Sequence, residues 1–211
     1  MDGIFQVRYN TGLTVEDYVS RRAWWDASPP DCPYHRQGGC RLAPHGTYAR
    51  KTPEGVRVRR FLCPRTRRTV SLLPDGLAAH LPGTLADVER VVRTADRAGS
   101  MEQAADQLRT DTVTLPTALR WVRLRVQRVR AFLATCITLY PDRFGQLEPN
   151  LDAFGAALGS EAVLEPLRAV AADRLASLPA PVGFLRRNGA LPAKPSRQQH
   201  ANGLDPPPAA A

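Results

Sequence analysis

Between residues 31 and 74 the chain changes texture, and this segment limits the fold more than any other. Its breakers, Gly38-Gly39, Pro44, Pro53 and Gly55, leave only short runs. Residues 47–51 and 56–62 flank a Pro-Glu-Gly turn, and 69–73 follow the next turn. Runs of this length, rich in β-branched and aromatic side chains and bounded by turn formers, predict a small antiparallel meander. So few strands bury too little apolar surface to stand alone, so the unit requires a metal or helices beside it. The same segment holds Cys32, His35, Cys40, His45 and Cys63.

A tetrahedral zinc ion needs four nitrogen or sulfur donors, which zinc ribbons bring together from two facing turns. Cys32 and His35 have the C-x₂-H spacing of such a turn, with Cys40 and His45 close by. In the second half, Cys63-Pro64-Arg65-Thr66 places a threonine where a second cysteine would stand, and Arg67 cannot ligate. A complete site then needs three ligands from the first half. Two compositions remain: Cys32, Cys40 and Cys63 with His35 or His45, or a ribbon that has lost its metal and keeps buried thiols. Cys136 lies among Phe132, Leu133 and Ile137 and reads as core. With no secretory leader and no apolar run approaching about 18 residues, the chain is expected to be soluble and cytoplasmic, its thiols reduced.

Helical periodicity surrounds this unit. Thr14 with Asp17 predicts a capped helix over 14–27, halted by Ser28-Pro29-Pro30; the adjacent Trp24 and Trp25 cannot both face one core. Thr84 with Asp87 opens a helix whose apolar face is Leu85, Val88, Val91, Val92 and Ala95, ending at Gly99. Ser100 with Gln103 opens another, and Pro116 suits the first turn of a third, over 116–139. Weaker amphipathic patterns cover 150–158 and 160–178; from 179 to 211 periodicity ceases, and a disordered tail is expected. The fold class expected is α+β: an N-terminal helix and linker (1–30), a small antiparallel zinc-ribbon-like β-unit (31–78), a helix-turn-helix-like helical domain (82–140), accessory helices (141–178) and the tail (179–211).

A net charge of +9 on 211 residues makes a polyanion the first partner to consider. All the basic residues but Lys51 and Lys194 are arginine, a bias that base composition of the coding sequence can produce, so position carries more meaning than the ratio. Arg50, Lys51, Arg57, Arg59, Arg60, Arg67 and Arg68 crowd the β-unit, where the basic run contains one acid, Glu54. The third helix carries Arg120, Arg123, Arg125, Arg128 and Arg130 and no acid. With Trp121, Leu124, Val129 and Leu133 turned inward, those arginines would spread over the remaining surface, suiting phosphate contact more than a single base-reading stripe. Arg120 and Arg123 lie nearest the N-terminal half, where recognition helices reach base edges. The connection from 109 to 115 is longer than a standard helix-turn-helix turn.

CPYHRQGGCRL, HGTYARK, the stretch from RFLCP to TVSLLPD, and SMEQAADQL followed by ALRWVRLRV together resemble the zinc-ribbon plus helix-turn-helix N-terminal region of bacterial insertion-sequence transposases, and a related stand-alone bacterial family of unknown function. The likeness spans residues 31–132. It implies a zinc held by Cys32, His35 or Cys40, and Cys63, and DNA as the partner, with a transposase or other protein as a further one. It also implies a binding module separated from the enzyme, because no room remains for the Mg²⁺-binding catalytic domain of those relatives. The expected function is nucleic-acid binding, with neither catalysis nor a small-molecule substrate and no membrane. A protein-interaction adaptor with a basic docking surface is the alternative, and RNA stacking on Tyr48 and Phe61 a further one. A Cys32 or Cys40 nucleophile with His45 as base lacks an orienting third group.

Overall fold

The computed structural model describes residues 5–185. Strands β1 (Phe5–Tyr9), β2 (Ala43–Ala49), β3 (Arg57–Leu62) and β4 (Thr69–Pro74) form one sheet in the order β1-β4-β3-β2. The last three are the expected antiparallel meander. β1 is an addition to it and runs parallel to β4, Phe5 opposite Val70 and Tyr9 opposite Pro74, so the sheet is mixed rather than purely antiparallel. The N-terminal segment expected as helix and linker therefore supplies a strand as well. Its signal was present: Phe5, Val7 and Tyr9 alternate with Gln6 and Arg8.

Helix α1 (Val15–Ser20) opens as expected, the Thr14 hydroxyl accepting the Asp17 N–H at 3.1 Å. It closes well before residue 27, because Arg22 takes a positive φ of 52°. The chain turns there, burying Trp24 and leaving Trp25 exposed. Each sheet face is covered. Tyr18, Ala23 and Trp24 pack with Val58 and Leu73 on one face, while Ala27, Cys32 and Leu42 pack with Phe61, Val70 and Leu72 on the other.

Beyond the sheet lie α2 (Leu85–Arg97), α3 (Met101–Leu108), α4 (Leu115–Leu139), α5 (Pro141–Phe144), α6 (Leu151–Leu158) and α7 (Leu164–Val170). The Thr84–Asp87 capping box is complete, with Asp87 N–H on Thr84 Oγ1 at 2.9 Å and Thr84 N–H on Asp87 Oδ2 at 3.0 Å. Ser100 caps α3 and Asn150 caps α6, each such cap being worth about 1 kcal/mol. One apolar cluster runs through all these helices from Ala78 to Val182, so the accessory helices share the core of α2, α3 and α4. Two expectations change here. Only Leu164–Val170 is helical within 160–178. Residues 179–185 are packed rather than disordered: Ala180 and Val182 are buried, Ala79 N–H donates to Pro181 O at 2.7 Å, and Leu185 N–H donates to Leu178 O at 2.8 Å. The rest of the expected tail, 186–211, lies outside the described residues.

Three charged side chains occupy core positions. Glu89 accepts the backbone N–H of Val163 and Leu164, tying the start of α7 to α2. Arg125 is buried within the inward stripe of α4 with Val122, Val126 and Val129, whereas Leu124, expected inward, is 39% exposed. Arg168 is fully buried, and its guanidinium donates six hydrogen bonds of 2.6–3.3 Å to the carbonyls of Pro74, Asp75, Leu77, Pro181 and Val182. Burial pulls its pKa down to about 10 against the opposing influence of Asp75 and Glu165, so it remains a cation at neutral pH.

Arg168 thus joins the end of β4, α7 and the 181–182 segment through one planar fork. Replacing it with methionine leaves the carbonyls of Asp75, Leu77 and Val182 without this donor, while Pro74 O keeps Leu77 N–H and Pro181 O keeps Ala79 N–H; the cost is about 1–3 kcal/mol for each that water cannot reach. Arg168→Met should lose roughly 3 kcal/mol or more in urea unfolding, and Arg168→Lys should recover only part, since an ammonium lacks the fork. Wild-type stability in Arg168→Met would refute the clamp.

Candidate metal centre and basic surface

The loop between α1 and β2 crosses one sheet face and brings three donors to the end of β3. Within it, His35 N–H donates to Cys32 O and Gly38 N–H to His35 O, both at 3.0 Å, forming consecutive tight turns. Gly38 and Gly39 follow at φ of 88° and 71°, a left-handed pair that glycine adopts without strain, and the reversal returns Cys40 toward Cys32. Cys63 stands one residue beyond β3.

The four donor atoms of Cys32, His35, Cys40 and Cys63 lie within 4.8 Å of one another. The His35 Nδ1 is 3.3 Å from the Cys32 sulfur and 3.6 Å from that of Cys63, and the Cys40 and Cys63 sulfurs are 3.6 Å apart. All three thiols are free cysteines. An ion with sulfur at about 2.3 Å and nitrogen at about 2.0–2.1 Å in a tetrahedron sets edges of roughly 3.5–3.8 Å. Three of the donor pairs, at 3.3–3.6 Å, lie near those edges, and the cluster could hold a metal ion. Of the two histidines left open by spacing, His35 joins the cluster; His45 is exposed on β2 outside it.

Thr66, at the position of the absent second cysteine, has another role. Its backbone N–H donates to the Cys63 sulfur at 3.4 Å. The Cys63 turn thus contributes one donor to the cluster and the loop of residues 32–40 the other three. Burial opposes ionisation of Cys63, but donation from Thr66 and from the Cys40 and Cys32 thiols outweighs it and brings its pKa down to about 6. Cys40 moves the other way, to about 11, through desolvation and its neighbouring thiols. Cys136 is buried in α4 and desolvation raises it to about 12, in keeping with a core thiol.

No family model, no curated protein and no solved structure matches this chain. The chemistry of the surface rests on its own residues.

The arginines divide into two populations. Lys51, Arg57, Arg67, Arg68 and Arg120 are exposed, with Arg68 resting 5.9 Å from the centre of the Tyr34 ring beside the metal cluster. Arg59 lies over Trp25 and Phe61, Arg60 over Tyr48, and Arg128 is half-buried. Acids reach α4 from neighbouring helices: Arg123 pairs with Glu102 at 3.0 Å and Arg130 with Asp96 at 2.8 Å. Arg50 and Arg125 serve the interior. Arg50 donates to the carbonyls of Ala78 and Leu81, and Arg125 stacks on Trp121 at 3.9 Å and donates to Pro82 O. Sequence reasoning placed these two with the surface cations and did not single out Arg168. The available signal was position: Arg125 follows Val122 by three and Arg168 follows Leu164 by four, both apolar slots.

The donor set makes a clear distinction between the two histidines. Cobalt titration of metal-free protein should give the thiolate charge-transfer and tetrahedral d–d absorption of a three-sulfur, one-nitrogen site. His45→Ala should leave both unchanged, while His35→Ala should shift the spectrum and weaken binding by about 10-fold or more. Equal effects from the two variants would contradict the His35 assignment.

Proposed function

We propose that this protein binds DNA through a zinc-held β-unit and the outward face of α4, acting as a transposase-associated or regulatory binding module without catalysis of its own. The observation that carries the reading is the pairing of a close-set group of four metal-ligating donors with a cationic turn built directly on it. Cys63 anchors the turn from which Arg65, Arg67 and Arg68 project into solvent. Three thiols and an imidazole are a donor set suited to zinc, which would staple the loop of residues 32–40 to the end of β3 and contribute directly to folding. Fixed on that turn, the guanidinium groups meet phosphates at little entropic cost.

The helices supply the second contact. α3 and α4 form the helix-turn-helix pair of this reading, with Ala104 and Ala105 buried between them so that the backbones approach closely. The connection at 109–114 is long, but Arg109 braces it, bonding Asp106 at 2.7 Å and Val113 O at 3.4 Å. Arg120 and Arg123 stand on the exposed N-terminal half of α4, where a recognition helix meets the major groove. Glu102, already paired with Arg123, would have to yield that arginine or limit its reach.

Counterion release sets the test. Affinity for duplex DNA should fall steeply with salt, by roughly 500-fold between about 50 and 200 mM for five phosphate contacts. Arg67→Ala with Arg68→Ala should flatten the log–log slope by about two. Absence of binding at low salt would overturn the reading. Metal analysis of the purified protein should return one zinc per chain, lost together with the fold in Cys63→Ser.

A further inference from the structure

The two basic stretches, far apart in sequence, meet at one place. A cleft of about 340 Å³ is lined by Gln6, Arg50, Lys51 and Thr52 on the sheet side, and by His80, Leu81 and Pro82. A second cleft, of about 500 Å³, is lined by the same His80, Leu81 and Pro82 and by Thr117, Arg120, Trp121, Leu124 and Arg125 of α4. The two clefts border the same loop, and as a pair they form a track running from the 50–52 turn to the N-terminal half of α4. Each volume falls in the roughly 300–1,000 Å³ range of ligand-sized sites.

Three properties of the track point to one occupant. It is lined without any acid, whereas two other clefts, one between α2 and the start of α7 and one beside α1, include Glu89, Glu161 and Glu165, and Glu16, Asp75 and Glu165, respectively. Its ends carry exposed cations, Lys51 and Arg120. Between them the floor is apolar, with Leu81, Pro82 and the outward-turned Leu124, which is 39% exposed on a helix whose neighbouring Val122 and Val126 are buried. The ridge is also preformed: Arg50 from the sheet and Arg125 from α4 hold the carbonyls of Ala78, Leu81 and Pro82. Spaced cations around an apolar floor complement a strand with charged phosphates and an uncovered base. A duplex keeps its bases stacked inside and offers none to such a floor.

We infer that the track seats single-stranded DNA, with phosphates against Lys51 and Arg120 and an unpaired base on Leu81, Pro82 and Leu124. This rests on the DNA-binding reading and names the form of DNA this face takes, so that the protein would engage a melted or junction segment beside a duplex.

Fluorescence anisotropy with a labelled oligothymidylate and a hairpin duplex of equal length, at low salt, tests it. The single strand should bind about 10-fold more tightly. Lys51→Glu with Arg120→Glu should weaken single-strand binding at least 10-fold, and Leu124→Ser several-fold, each with wild-type circular dichroism and metal content. Arg97→Glu, a charge reversal on an exposed residue of α2 off the track, should alter it less than twofold. Photocrosslinking of an iododeoxyuridine-substituted strand should place adducts in peptides containing residues 80–82 or 117–125. Equal or tighter duplex binding, track variants no weaker than Arg97→Glu, or adducts confined elsewhere would each overturn the single-strand site while leaving the DNA-binding reading intact. Failure to bind either form would overturn both.

Discussion

The architecture depends on how nine residues between sheet and helices, 74–82, satisfy their backbone. The segment is largely buried, so its carbonyls require donors other than water. Arginine supplies them from three directions: Arg168 of α7 to Pro74, Asp75 and Leu77, Arg50 of the sheet to Ala78 and Leu81, and Arg125 of α4 to Pro82. Arg8 of β1 adds a two-pronged pair to the Asp75 side chain, both contacts at 2.8 Å. A guanidinium can do this where a lysine cannot, since its planar donors address several carbonyls at once and its charge persists after burial. The expected boundary between the β-unit (31–78) and the helical domain (82–140) is thus a fastened joint.

The arginine excess thus has two physical outlets. Some guanidinium groups meet solvent around the metal cluster and at Arg120. Others replace water inside the protein. Charge density along the chain does not separate the two, because an arginine on a carbonyl cage and one facing solvent contribute equally to net charge. Helical phase does separate them. Glu89, Arg125 and Arg168 each stand at an apolar slot of their helix, and each is buried.

Local chemistry was readable for the same reason that it is local. The Thr14, Thr84 and Ser100 caps, the meander and the divergence of Trp24 and Trp25 follow from residues a few positions apart. The metal cluster was legible as a set of four donors, yet the choice of His35 over His45 depended on the Gly38-Gly39 reversal and on which sheet face the loop crosses. β1 was visible in the alternation at 5–9, but its parallel partner lies more than sixty residues away. Residues 179–185 lacked any periodic signal because they are held by backbone hydrogen bonds and by Arg168, not by an amphipathic pattern.

The joint also sets a length. With residues 74–82 bonded to the sheet, α4 and α7 together, the Cys63 turn and the N-terminal half of α4 cannot swing independently to suit what they touch. A polymer that contacts both must present its own features at the interval the protein dictates, so discrimination can arise from spacing even where no side chain reads a base. Under the proposed DNA-binding function the fold is a gauge: a partner that contacts both elements adapts to it or is rejected.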